Sequence, residues 1–174
     1  MRRIVVIGSP GSGKSTLARR LGSMLGLEVI HLDMLYWHPG WVETPPEQWD
    51  AVNREIVRKE SWIIDGHYGR TLDMRLEAAD TVILLDMPRL LCIWRATRRR
   101  GKVRPDMPPE LVEKFDWEAA KFMWYIWTFP ARKLPTLRKQ LEQRAAGKTM
   151  IVLRSPAEVE RYVSELAAEH APVR

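Results

Sequence analysis

The run Gly8-Ser9-Pro10-Gly11-Ser12-Gly13-Lys14-Ser15 constrains this chain more than any other feature. It fits G-x-x-x-x-G-K-[ST] in full. It lies between a β-branched segment, Ile4 to Ile7, and a helical pattern with Leu17, Leu21 and Leu25 at i, i+4 and i+8. A strand that passes through a glycine-rich turn into a helix gives this motif its meaning. The glycines let successive backbone N–H groups converge on one anion, and the helix N-terminus adds partial positive charge. Lys14 is placed to reach the β- and γ-phosphates of a nucleoside triphosphate, and the Ser15 hydroxyl to ligate Mg²⁺. Gly8, Ser9, Pro10, Gly11, Ser12, Gly13, Lys14, Ser15 and Thr16 are therefore the expected nucleotide-binding residues.

The nucleotide is expected to be ATP. Guanine-specific switches carry N-K-x-D and D-x-x-G signatures. The only asparagine, Asn53, is followed by Arg54-Glu55-Ile56, and no aspartate has glycine three residues later.

Further along, Glu28 to His31, Ser61 to Ile64, Thr81 to Leu85 and Thr149 to Leu153 read as strands. Segment 31–43 reads as irregular and aromatic. Thr44-Pro45-Pro46-Glu47 reads as a capping box opening a helix to about Lys59. Helices are also predicted from about Thr71 to Ala78, from Pro88 to about Arg100 with Asp86 as N-cap, and from Pro156 onward. Gly101 to Pro109 reads as a proline-rich loop. The stripe Leu111, Phe115, Phe122 and Ile126 predicts a helix broken at Pro130, and another helix follows to about Ala146, capped by Gly147. Alternating strands and helices imply a parallel sheet covered on both faces, in one domain spanning 1–174.

Composition narrows the setting. No apolar run approaches the ~18 residues of a membrane span. A lone cysteine, Cys92, excludes an internal disulfide. With no signal-peptide pattern at the start, a cytoplasmic location and no membrane partner are expected. The first 87 residues carry 10 Lys/Arg against 12 Asp/Glu, and the remaining 87 carry 18 against 10. Seven basic residues and no acid lie between Arg89 and Arg104. Such a stretch attracts polyanions, either nucleotide phosphates or a nucleic-acid backbone.

Ile63-Ile64-Asp65-Gly66 followed by Arg70-Thr71 resembles the D-G-F-P-R-T segment of adenylate kinases. Leu85-Asp86-Met87-Pro88, with Arg95 and Arg99 beyond it, resembles their L-D-V-P segment and lid arginines. The resemblance implies a P-loop three-layer α/β/α fold of the nucleoside-monophosphate-kinase type, with a five-stranded parallel sheet of order 2-3-1-4-5 and a helical lid. A closer resemblance is to the bacterial family called DNA topology modulation protein. It rests on His31-Leu32-Asp33, Trp37-x-Pro39-Gly40-Trp41, Trp62-Ile63-Ile64-Asp65-Gly66, Arg104-Pro105-Asp106 and Leu153-Arg154-Ser155-Pro156.

The chain departs from adenylate kinases after Asp65-Gly66, where His67-Tyr68-Gly69 replaces Phe-Pro, and in the aromatic stretch 34–42, which replaces the AMP arm. The acceptor is therefore expected not to be AMP. Asp65, ending a strand beside the P-loop strand in the implied order, is expected either to hold Mg²⁺ through water or to cap the loop after that strand. Asp33 is expected either to bond or deprotonate an acceptor hydroxyl, as carboxylates do there in related small-molecule kinases, or to be an exposed turn aspartate. The resemblance implies Arg95, Arg99 and Arg104 as phosphoryl-clamping arginines on a lid at about 95–109, and Arg154 as a border of the adenine. Arg98, Arg100 and Lys102 read as a solvated basic face. Trp37, Trp41 and Trp49 read equally as acceptor pocket or core, whereas Trp117, Trp124 and Trp127 read as packing. His67 is a candidate substrate contact only by its place.

The expectation is a kinase moving the γ-phosphoryl of Mg-ATP to a small nucleotide-like or nucleoside-like acceptor. The acceptor side lies at about 33–60, and the chain is expected to be a monomer or homodimer. The alternative is a nucleic-acid-binding ATPase or regulator of DNA topology.

Overall fold

The computed structural model describes residues 1–114 and 116–170; Phe115, expected on a helical stripe, lies outside them. Strand β1 (Arg3–Gly8) leads through the glycine turn into α1 (Lys14–Leu25), which Gly26 closes in the left-handed region at φ 65°. Then come β2 (Val29–His31), α2 (Leu32–Tyr36), a hairpin of β3 (Trp37–His38) and β4 (Val42–Glu43), and α3 (Pro46–Arg58). Next are β5 (Trp62–Asp65), α4 (Gly69–Ala78), β6 (Thr81–Leu85) and α5 (Arg89–Arg98). The chain continues with α6 (Trp117–Arg132), α7 (Leu134–Arg144), β7 (Thr149–Leu153) and α8 (Pro156–Glu169).

The main sheet is parallel throughout, in the order β2-β5-β1-β6-β7. Counted along its own five strands, that is the predicted 2-3-1-4-5. Strand β1 is central, and alternation along it divides the core. Val5 and Ile7 face Trp49, Ile64, Leu72, Leu76 and Leu137 beneath α3, α4 and α7. Ile4 and Val6 face Leu17, Leu21, Ile83, Cys92, Ile126 and Val163 beneath α1, α5, α6 and α8. Each fully buried Val or Ile contributes about 1.5–3 kcal/mol over exposure. A strand apolar on both faces therefore fixes the three layers and puts the phosphate loop at the sheet's C-terminal edge.

Six local expectations are corrected. The aromatic segment is ordered into α2 and an antiparallel hairpin pairing Trp37 with Glu43 and His38 with Val42. Thr44 does not cap α3: its hydroxyl donates to the Leu35 and Tyr36 carbonyls at 2.9 and 2.8 Å, and Pro45 takes the N-cap position. Asp86 does not cap α5, where Pro88 stands at the N-cap; its carboxylate accepts from Arg138 at 2.8 Å. Pro130 lies inside α6, and the helix breaks only at Lys133, φ −108°. Leu111 precedes that helix and is buried in the loop before it. Gly147 lies beyond the end of α7, whose C-cap is Ala145.

The surface also differs from expectation. Trp117 and Trp124, expected to pack, are 74% and 60% exposed, and Trp127 is exposed beneath the Arg89 guanidinium, 4.0 Å from its ring centre. A stripe at helical spacing marks one helix face, but only the neighbours decide whether that face is covered. Arg100, expected on a solvated face, is buried, whereas Arg98 and Lys102 are exposed as expected. No helix among the described residues is long and apolar enough to cross a membrane.

Candidate active site

One cavity of about 1410 Å³ lies over the C-terminal edge of the sheet. It is lined by the glycine loop, Asp33, Trp37 and Trp41, by segment 65–70, and by Arg95, Arg99 and Arg104. Its floor depends on glycine. A Cβ on Gly8 would lie 2.4 Å from the Leu85 carbonyl oxygen, and one on Gly11 2.2 Å from that of Cys92, with φ at 150° and 78°. Only glycine lets β1, the loop and α5 approach this closely.

The loop holds donors with little to bind. Lys14 donates to the Ser9 carbonyl at 3.1 Å, and burial pushes its ammonium below the ordinary lysine value, opposed by the charges of Asp65 and Asp33. The Ser12 hydroxyl is buried without a partner. A part-buried cation without a touching carboxylate among the described residues, beside an orphaned hydroxyl and a helix N-terminus, fits a polyphosphate. No group of three or more His, Cys, Asp or Glu suited to a metal occurs among the described residues. Ser15 and Asp65 both line the cavity, the sparse set that suits Mg²⁺ arriving with phosphates.

Asp65 ends β5 beside β1, buried, with Oδ2 2.6 Å from His31 Nδ1. Asp33 lies on α2, and its Oδ1 accepts the Tyr68 hydroxyl at 2.6 Å. Burial raises the Asp33 carboxyl; the Tyr68 hydrogen bond and Lys14 oppose that rise. Tyr68 is held up by burial and by Asp33, so its hydroxyl stays protonated.

The expected arginines converge, with different partners. Arg95 donates to the Ser12 carbonyl at 3.0 Å, tying α5 to the phosphate loop. Ala96 beside it is fully buried, so this turn of α5 belongs to the framework. Arg99 grips Glu113 with two bonds, 3.1 and 2.8 Å, and Arg104 shares Glu113 at 2.9 Å while also pairing with Asp106. Burial pushes Asp106 up, but the Arg104 guanidinium and the Ser15 hydroxyl hold it at about 2.

Arg154 does not line this cavity. It borders a separate groove with Met87, Pro88, Arg89 and Pro130. The tryptophans divide: Trp49 is core, whereas Trp37 and Trp41 line the cavity. His67 also lines it; burial, then Arg75, lowers its imidazole to about 4.

Sequence reasoning missed four groups. Tyr68, His31 and Glu113 are the partners of Asp33, Asp65 and the arginines. Arg75 is fully buried and donates to the Gly66, His67 and Tyr68 carbonyls at 2.8, 2.7 and 2.9 Å. Burial lowers it to about 9. Tyr68 sits at φ 30° and Trp41 at φ 61°, the only non-glycine residues with positive φ among those described. Both line the cavity. Such backbone persists only where the surroundings impose it, and Arg75 supplies that for Tyr68.

No family model matches the chain. It is 29% identical over 142 residues to "Adenylate kinase 2" of Nostoc sp., covering 64% of this chain and 75% of that protein. It is 34% identical over 84 residues to "Threonine synthase-like 1" of Mus musculus, covering 48% of this chain but only 10% of that protein. A gluconokinase from Sinorhizobium meliloti superposes with a TM-score of 0.53 at 16% identity, over 98% of this chain and 91% of that one; that likeness concerns the fold. Fold and phosphate loop define the class of the fold, a P-loop α/β nucleotide-binding domain, and the relatives it is similar to include adenylate kinases.

Proposed function

We propose that this protein transfers the γ-phosphoryl of Mg-ATP to a hydroxyl of a small nucleoside-like or sugar-like acceptor. One observation carries the reading: the glycine loop with Lys14, the carboxylate of Asp33 and the guanidinium groups of Arg95, Arg99 and Arg104 line a single cavity. In-line transfer needs an anion cradle on one side, a hydroxyl acceptor on the other, and cations between them.

The acceptor hydroxyl is held by Asp33, which takes its proton as the new O–P bond forms. The old P–O bond breaks, leaving ADP in the loop. Lys14, the loop amides and the arginines neutralise charge on the transferring group. Ser15 and Asp65 would hold Mg²⁺, which supplies charge neutralisation across the phosphates. Asp106, beside Ser15, is a further candidate for that shell. Arg154 and its groove are the proposed border of the adenine. Because α5 is anchored at Ala96, we place the moving lid at about 99–114, after the helix, with Gly101 at φ 73° as its hinge.

The test is ADP release from Mg-ATP across a panel of nucleosides, sugars and simple alcohols. Release that depends on the acceptor and on Lys14 supports the reading. Release indifferent to every alcohol removes it.

A second reading follows the likeness to the DNA topology modulation family and rests on the outer face of α5 and α6. There exposed Trp94, Trp117 and Trp124 lie among Arg89, Arg98 and Lys121, a combination that suits stacked bases and phosphates. It requires retention on single-stranded DNA that falls steeply with salt.

A further inference from the structure

Resting on the kinase reading above, we propose that the acceptor carries two adjacent hydroxyls, a vicinal diol, and that Tyr68 is the residue that demands the second one. The reacting hydroxyl donates to the free oxygen of Asp33, and its neighbour donates to the Tyr68 phenolic oxygen.

The geometry begins with a committed proton. The Tyr68 O–H points to Asp33 Oδ1 at 2.6 Å and the Trp37 indole N–H also bears on the phenolic oxygen, so toward the cavity the phenol offers only its remaining acceptor capacity and no proton. Asp33 accepts there as well. The result is two hydrogen-bond acceptors on neighbouring side chains that the 2.6 Å bond holds together. A lone alcohol uses one of them and leaves the other dry. A diol satisfies both.

The Tyr68 ring cannot turn away to suit a smaller acceptor. It packs against Tyr36 and Trp49, with ring centres at 4.6 and 5.0 Å, and Trp49 is core. Behind it, Arg75 holds the Tyr68 carbonyl at 2.9 Å. The acceptor pair is thus fixed before any ligand arrives, which is how a site acquires discrimination rather than adaptability.

Two acceptors together would also receive an ammonium group. The field here opposes that: Lys14 and Arg104 both act on Asp33, and either would repel a second cation. Neutral hydroxyls remain. Trp37 and Trp41, ring centres 5.6 Å apart, give the same cavity apolar walls for the carbon face of a ring. Such a diol occurs on a ribonucleoside and on a free sugar, and the two sources are separated by the probes.

The experiment compares adenosine with 2′-deoxyadenosine, and methyl β-D-ribofuranoside with methyl 2-deoxy-β-D-ribofuranoside, the ribose pair being locked as furanosides so that the deoxy partner keeps no adjacent hydroxyls. Binding is read by tryptophan fluorescence in the presence of Mg-ADP, and turnover by ADP release from Mg-ATP. In the wild-type protein one diol probe is expected to outperform its deoxy partner on the order of 10-fold or more in kcat/KM. Tyr68→Phe keeps the ring and removes the oxygen, so that ratio should fall toward one. The adenosine arm or the ribose arm then identifies the source. Equal use of diol and deoxy probes by the wild type, or a ratio unchanged in Tyr68→Phe, overturns the inference while leaving a working kinase. If neither pair binds or reacts, the inference is also overturned. If in addition no alcohol in the wider panel elicits Lys14-dependent ADP release, the kinase reading fails with it.

Discussion

His31 and Asp65 stand at paired positions on neighbouring parallel strands, and the His31 ring nitrogen Nδ1 lies 2.6 Å from Asp65 Oδ2. Both side chains are nearly closed to solvent, so the bond fixes the orientation of Asp65 at the mouth of the phosphate loop. A carboxylate intended for a metal through water gains from such a partner, because one oxygen is anchored and the other is left facing the site.

Asp65→Asn should therefore weaken Mg²⁺-dependent turnover by about 10- to 100-fold while changing ATP affinity less. His31→Leu should act in the same direction, and His31→Asn, whose amide nitrogen can replace Nδ1, should recover part of the loss. Titrating activity against Mg²⁺ and measuring ATP binding separately checks this. Unchanged magnesium dependence in Asp65→Asn would reduce the pair to a structural tie.

Lys14→Ala should leave the fold intact and lower phosphoryl transfer by about 10²-fold or more, on the order of 3 kcal/mol of transition-state stabilisation. Among the described residues the ammonium hydrogen-bonds the Ser9 carbonyl, so little packing is lost. Circular dichroism alongside turnover separates the two effects. A folded variant with full turnover would refute the assignment.

Arg99 and Arg104 share Glu113, so contact with the transferring phosphates requires them to exchange a carboxylate for a phosphoryl group. Amide exchange across 99–114 should slow when a non-hydrolysable ATP analogue binds. Arg99→Ala should lower turnover more than ATP affinity. Identical exchange with and without the analogue would mean that the segment is a fixed surface.

Arg75→Met should destabilise the protein by about 2–4 kcal/mol, since one buried and two part-buried carbonyls lose their charged donor together. A shift of the urea midpoint at constant slope is the measurement. A midpoint within error of the wild type would show that water replaces the guanidinium at no cost.

His67 has a folded-state value of about 4, below the ordinary 6.5. Between those values the unfolded chain binds more protons, so stability rises with pH there. The contribution is fully present above about pH 6.5 and is lost as pH falls through 4. His67→Gln should flatten the pH dependence of the denaturation midpoint in that window. An unaltered slope would assign it to other groups.

Residues close in sequence were the readable ones. The phosphate loop carries its own confirmation, since strand, glycines, lysine and helix are contiguous. The apolar strands were legible because each is buried on both faces. The hairpin at Trp37 was not legible: it rests on positive φ at Gly40 and Trp41, and the sequence shows no alternation there. Thr44 matched a capping box by spacing, yet its hydroxyl found the carbonyls at the end of α2 instead.

The sequence by itself determined the phosphate loop, the alternation of strands and helices, and the residues to suspect at the strand ends; the order of the sheet strands was what the resemblance to adenylate kinases implied. Only the tertiary structure decided partners. Nothing in the spacing of Asp33 and Tyr68, or of Asp65 and His31, requires them to meet; the parallel crossovers bring 33 beside 68 and 31 beside 65. The same holds for exposure. The tryptophans of α6 follow the helical period, but the period gives only a direction, and Trp117 and Trp124 are left exposed. Local interactions set conformation residue by residue, whereas burial and pairing depend on distant segments, and these meet only once the chain has folded.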